Sequence, residues 1–193
     1  GGAKRFIVLE SVAEEFIEAF KNRMEKLEPG DPMDERTGLA PMSSEAQAQE
    51  VLAQVEESVR QGAKLLLGGD RPELPGTFVN PTMLIDIKPG MPAYDQEIFG
   101  PVASIFVVKD EDEAVAIANA TDYGLGSAIM SESIERAKKL SARLDVGMVH
   151  INTYTTSQPD VPFGGVKRSG FGRELSNLGI EEFINKKLVR IIR

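Results

Sequence analysis

Short apolar runs alternate with amphipathic stretches along nearly all of the 193 residues, and this alternation limits the possible folds more than any other feature. Lys4-Arg5-Phe6-Ile7-Val8-Leu9 reads as a buried strand, being short, apolar and partly β-branched. Ser11 with Glu14 has capping-box spacing, and Val12, Phe16, Phe20, Met24 and Leu27 form an apolar stripe ending at Pro29-Gly30, so a helix is expected there. Residues 31–42 read as an ordered surface loop. Ser43 and Ser44 offer caps for a second helix carrying Ala48, Val51, Leu52, Val55 and Val59, closed by Gly62. Strands are expected at 63–67, 102–108, 126–130 and 146–152, with an extended segment over 78–87. Helices are expected at 110–120, 132–144 and 176–184, with a last strand over 186–192. Such an order favours an α/β fold, an open and mostly parallel twisted sheet flanked by helices.

Composition narrows the chemistry. The 22 Lys+Arg against 30 Asp+Glu leave a net charge of −8, which argues against a general binder of nucleic acid or anionic membrane. There is no cysteine, so disulfides, thiolate metal sites and a cysteine nucleophile are excluded within these residues. His150 is the single histidine, which makes a His-rich metal site or a Ser-His-Asp triad a poor expectation; it reads as a packed or hydrogen-bonded strand residue. No apolar run approaches the roughly 18 residues that cross a bilayer.

The stretch from Pro162 to Glu174 is rich in glycine but fails as a phosphate loop. Gly165 and Gly170 have the P-loop spacing, yet Phe171 stands where lysine is required. Gly170-Phe171-Gly172 would need a further glycine at 175, which is Leu175. The glycines instead read as positions where the chain bends and approaches other backbone closely. Glu97-Ile98-Phe99-Gly100-Pro101 precedes a core strand and is either a connector or part of a ligand site. Glu111, Asp112 and Glu113 suit the positive end of a helix dipole better than a metal.

Several segments in order carry a resemblance. They are Lys4 to Val8, Gly38-Leu39-Ala40-Pro41-Met42, Gly62 to Gly69, Asn80-Pro81-Thr82, Glu97 to Pro101, Asn119 with Tyr123-Gly124-Leu125, Asn152, and Pro162 to Glu174. Together the chain resembles the aldehyde dehydrogenase superfamily over essentially its whole length. Arg173-Glu174-Leu175-Ser176, Gly179-Ile180, Glu182-Phe183 and Asn185 are most similar to the succinate-semialdehyde dehydrogenase-like branch.

The resemblance implies a fold of the aldehyde dehydrogenase catalytic-domain type over 1–175, and a helix with an oligomerisation strand over 176–193. It implies that Glu97 binds the nicotinamide ribose hydroxyls of NAD or NADP and that Phe99 packs beside the nicotinamide. Phe163 would line the aldehyde pocket, and Ser157 would be a further substrate-lining residue. Asp160 stands where that branch carries a basic residue, and an acidic group there repels a substrate carboxylate. The family's mechanism needs a cysteine thiolate, a glutamate and an oxyanion-stabilising asparagine, all expected upstream of residue 1 along with the nucleotide-binding half. No catalytic residue and no metal ligand is therefore expected here. The parent protein is expected to be a cytoplasmic, homo-oligomeric (dimer or tetramer) NAD(P)-dependent aldehyde dehydrogenase, with this piece inactive alone. The alternative is a complete product that keeps the fold as a non-catalytic binding or assembly module.

Overall fold

Six apolar residues and one serine in a row, Val102–Val108, suit a strand covered on both faces, and in the computed structural model they form an inner strand of a sheet. The structure describes residues 2–193, which divide into two compact units, 2–118 and 119–193.

The first unit runs β1 (Arg5–Leu9), α1 (Glu10–Met24), α2 (Glu45–Arg60), β2 (Lys64–Leu67), β3 (Thr82–Ile85), α3 (Pro92–Asp95), β4 (Val102–Val108) and α4 (Glu111–Asn119), the last ending at the junction. The sheet order is β1-β4-β3-β2. β1 and β3 both lie parallel to β4, in registers that place Arg5 beside Ser104 and Thr82 beside Val102. β2 is antiparallel to β3, with an irregularity between Leu65 and Leu67. Alternation along the strands feeds two cores. Leu84 and Val102 join Ala48, Val51, Val55 and Ile98 on the α2 side. Met83, Ala103 and Ile105 join Val8, Ala13 and Met24 on the α1 side. The mostly parallel, two-sided α/β sheet is as expected.

Two details of the helices differ from the expectation. α1 starts at Glu10, straight from β1, with Leu9 as its cap and no side-chain capping bond, so Ser11 lies inside the helix and the capping box does not form. Its inward face is Ala13, Phe16, Ile17, Phe20 and Met24, with tilted ring pairs Phe6–Phe20 at 4.8 Å and Phe16–Phe20 at 5.5 Å. Val12 is 52% exposed instead. α2 begins as expected, the Ser44 side chain accepting from the Gln47 N–H. The wholly buried Ser58 ties it to α3, its hydroxyl donating to the Gln54 carbonyl at 2.7 Å and accepting from the Ala93 N–H at 3.0 Å.

The second unit contains β5 (Tyr123–Gly124), β6 (Gly126–Ile129), α5 (Ile134–Ser141), β7 (Met148–Ile151), β8 (Val166–Lys167) and α6 (Ser176–Glu181). β6 pairs parallel with β7, and β5 pairs antiparallel with β8. α5 and α6 are shorter than the patterns suggest. Residues 186–192 form no strand: Leu188, Val189, Ile191 and Ile192 stand at 73–90% exposure. Strand geometry needs a neighbouring ladder, and this segment has none within the described residues.

Candidate functional site

Glu97 and Phe99 lie between α3 and β4 with opposite fates to Ile98 between them. Ile98 is buried in the α2-side core while Glu97 and Phe99 on either side of it are exposed, Phe99 at 61%, and the chain turns at Phe99, where the Gly100 N–H donates to the Ile98 carbonyl at 3.0 Å. The segment is fixed from several directions. Gln54 Nε2 donates to Gln96 Oε1 at 2.9 Å, and Gln47 Nε2 donates to the Phe99 carbonyl at 3.3 Å. Gly100 lies so close to α2 that a Cβ there would come within 2.9 Å of a Val51 methyl. The Pro101 carbonyl accepts from the Thr82 N–H at 2.9 Å, locking the end of the segment to β3.

From the other side comes Lys4, just ahead of β1. Its ammonium donates to the Gly100 carbonyl at 3.2 Å and stands over the Phe99 ring, 5.0 Å from the centroid. Partial burial lowers its pKa, while the charge of Glu97 works to raise it. The neighbouring Arg5 is also partly withdrawn from water, which lowers its pKa, with Tyr94 and Asp95 opposing. Its guanidinium donates to the carbonyls of Tyr94 (2.8 Å) and Ile117 (2.9 Å), over the rings of Phe106 and Tyr94. Neither cation was legible as part of a site. Lys4 reaches a residue 96 positions away, which no local pattern signals.

In the second unit, Phe163 is half-buried and forms an antiparallel bridge with Glu174, their two N–H groups donating to each other's carbonyls at 2.8 and 2.7 Å. Between these two residues the glycine-rich loop is held by backbone closeness and polar clips. A Cβ on Gly147 would stand 2.0 Å from the Gly164 carbonyl oxygen, and one on Gly165 would stand 2.6 Å from Ser169 Cβ. The close-approach reading of the glycines is the one the geometry supports. Arg173 donates to the carbonyls of Gly165 and Gly172, and the Gly124 N–H donates to Ser169 Oγ. Lys167 places its ammonium among the carbonyls of Asn119 and Thr121, both at 3.1 Å, and the Asp145 carboxylate at 3.0 Å. Asn119 closes the same network, its side chain donating to the Arg143 carbonyl and accepting from the Asp145 N–H. Ser157 and Asp160 are exposed, on the stretch that leads into this loop.

The expected pairs therefore fall in separate units: Glu97 with Phe99 in 2–118, Ser157 with Phe163 in 119–193. His150 sits on β7 in register with Ala128; its Nδ1 is buried without a hydrogen-bond partner, so packing accounts for it rather than a bond at that atom. The carboxylates at the start of α4 act as helix-start groups: Asp110 accepts from the Glu113 N–H and Glu113 accepts from the Lys109 N–H. Among the described residues no group of three or more His, Asp or Glu could hold a metal ion, and no helix is long and apolar enough to cross a membrane.

Comparison with known proteins gives one consistent result. The sequence profile of the Aldehyde dehydrogenase family matches residues 2–189. A succinate-semialdehyde dehydrogenase [NADP(+)] of Deinococcus radiodurans is 53% identical over 188 residues, covering 97% of this chain and 39% of the relative. One from Mycobacterium leprae is 44% identical, covering 98% and 41%. The crystal structure of succinic semialdehyde dehydrogenase from Streptococcus pyogenes in complex with NADP+ superposes with a TM-score of 0.94 at 44% identity, over 98% of this chain and 42% of that one. The chain spans about two fifths of the length of these relatives. With a family profile covering nearly every residue and a fold shared at that TM-score, the chain belongs to the aldehyde dehydrogenase family.

Proposed function

We propose that these residues form the catalytic-domain portion (1–175) and the terminal helix and pairing strand (176–193) of a cytoplasmic, NADP-dependent enzyme that oxidises succinate semialdehyde to its acid. The observation that carries the substrate and cofactor is the 53% identity, over 97% of this chain, to the Deinococcus radiodurans enzyme of that name. The local chemistry is consistent with it. A bound nicotinamide supplies the hydride acceptor. Glu97 fits its ribose: an exposed carboxylate on a pinned backbone is acceptor-only and takes two hydroxyl hydrogen bonds at once. Phe99 offers an exposed apolar ring beside it. Phe163 gives an apolar wall for the aldehyde, and the Ser157 hydroxyl donates to the substrate's far carboxylate. Asp160, also exposed, works against that carboxylate, so the net recognition there rests on Ser157 and on groups outside this stretch.

The 193 residues contain no thiol, so we propose that they do not turn over an aldehyde by themselves. The polypeptide from the full reading frame is expected to form NADPH from succinate semialdehyde. In it, Glu97→Gln is expected to raise KM for NADP about tenfold, the loss of one charge-assisted interaction. NADPH formation by the 193-residue chain alone, or none by the full polypeptide with any aldehyde, overturns the corresponding part of the reading. The exposed apolar side chains of Leu188, Val189, Ile191 and Ile192 support a last element of the same proposal, that this segment becomes a strand by pairing with a second copy in a dimer or tetramer. Sedimentation is expected to show an oligomer that deletion of 186–193 dissociates; an unchanged oligomer after deletion counts against that pairing.

A further inference from the structure

Lys4 meets two residues of the Glu97–Gly100 segment directly, Gly100 and Phe99. Its ammonium donates to the Gly100 carbonyl, stands over the face of Phe99, and faces the charge of Glu97. Its own backbone is fixed as well: the Lys4 carbonyl accepts from the Ser104 N–H at 3.2 Å, so β4, which the segment leads into, also anchors the base of the side chain that clamps it. A half-buried ammonium anchored in this way restricts a ring that would otherwise have open solvent on its outer side.

We infer that Lys4 is a positioning residue for cofactor binding: it sets the Phe99 ring in the orientation that receives the nicotinamide. This rests on the role proposed above for Phe99, and it adds a residue the comparisons do not assign. The chemistry separates Lys4 from a structural bystander. Gln47 and Gln54 donate to the Phe99 and Glu97 carbonyls and Val51 packs against Gly100 from the α2 side, and all three remain when Lys4 is changed. Removing the cation therefore frees the Phe99 ring while the backbone stays in place. Burial lowers the Lys4 pKa because the ammonium has lost part of its water, and the charge of Glu97 offsets only part of that loss.

The test compares Lys4→Met and Lys4→Arg in the full-length polypeptide. Lys4→Met is expected to raise KM for NADP about fivefold, the size of one cation–ring contact, leaving KM for the aldehyde and the melting temperature within error. Lys4→Arg keeps a cation that stacks and donates and is expected to recover most of the loss. An unchanged cofactor KM in Lys4→Met, or no recovery in Lys4→Arg, overturns the inference. A second measurement does not depend on turnover. In the 193-residue chain, the Lys4 ε-methylene protons are expected to be shifted upfield by the Phe99 ring and to return to ordinary positions in Phe99→Leu. If that shift is present and the full polypeptide oxidises no aldehyde, the functional reading falls while the Lys4–Phe99 placement stands. If the shift is absent, the placement itself is wrong.

Discussion

The Glu97–Gly100 segment and the Phe163–Glu174 loop present outward side chains from backbones held by different physics. The first is anchored by side chains: Ile98 in a core with Val51, Val55 and Leu84, with amide and ammonium groups of Gln47, Gln54 and Lys4 around it. The second is anchored by backbone lying on backbone, at Gly147 over Gly164, and by polar clips from Lys167, Arg173 and Ser169. In its unit the buried apolar side chains among the described residues are only Ala137 and Met148. A core tolerates rearrangement of its surface but not loss of volume, whereas a close-packed backbone tolerates neither added atoms nor a shifted chain.

The largest effect expected from this contrast is in the core. Leu84 is fully buried, and Leu84→Ala should lower the stability of the first unit by about 3 kcal/mol through lost burial and a residual cavity. Urea unfolding followed by signals from residues 2–118 measures it; a loss under about 1 kcal/mol means that this core does not carry the segment. Next comes a matched pair of glycine substitutions. Gly147→Ala drives a methyl into a carbonyl oxygen that cannot turn aside, and should destabilise the second unit by about 2 kcal/mol or more. Gly100→Ala meets Val51 methyls at 2.9 and 3.0 Å, which can shift on their helix, and should cost about 1 kcal/mol. Equal losses in the two variants break the comparison.

The same contrast explains what the sequence made legible. β4 was readable in full because a strand covered on both faces is apolar at nearly every position, and the α2 cap was readable because Ser44 bonds within its own helix. On α1, Phe16, Phe20 and Met24 turn inward as the stripe predicts, but at its start Val12 and Ala13 both satisfy the helical period and the smaller Ala13 is the one that turns inward. The start of α1 was misassigned because β1 runs into it without leaving a residue for a cap. The apolar content of 186–192 reads as a strand, but a strand is a property of two segments and no described residue pairs with this one. Glu97, Phe99, Ser157 and Phe163 stand out only through family resemblance, since single residues in connecting segments leave no periodic trace. Lys4, Gln47 and Gln54 were hidden because their roles arise only when distant segments meet.

The smallest expected effect separates surface charge from packing on α2, the helix that holds the Glu97–Gly100 segment. Arg60 and, secondarily, Gln61 donate to the Glu57 carboxylate and hold its pKa down to about 2. A folded-state pKa below the unfolded value means that the ionised form is the one the fold favours. The contribution is therefore full above the unfolded pKa of about 4.5 and fades as pH falls through about 2. Because the pair is exposed, water and salt screen it and the gain at neutral pH is small. Glu57→Gln should be slightly less stable than the native chain at pH 6, and the gap should close between pH 4.5 and pH 2 as the native carboxylate takes up its proton. Core variants such as Leu84→Ala should show a gap that does not follow this titration, since no charge is involved. A Glu57→Gln gap that stays constant across the acid range would mean that the side chain acts through its packing and local hydrogen bonds alone, and the electrostatic account of this turn of α2 would fail.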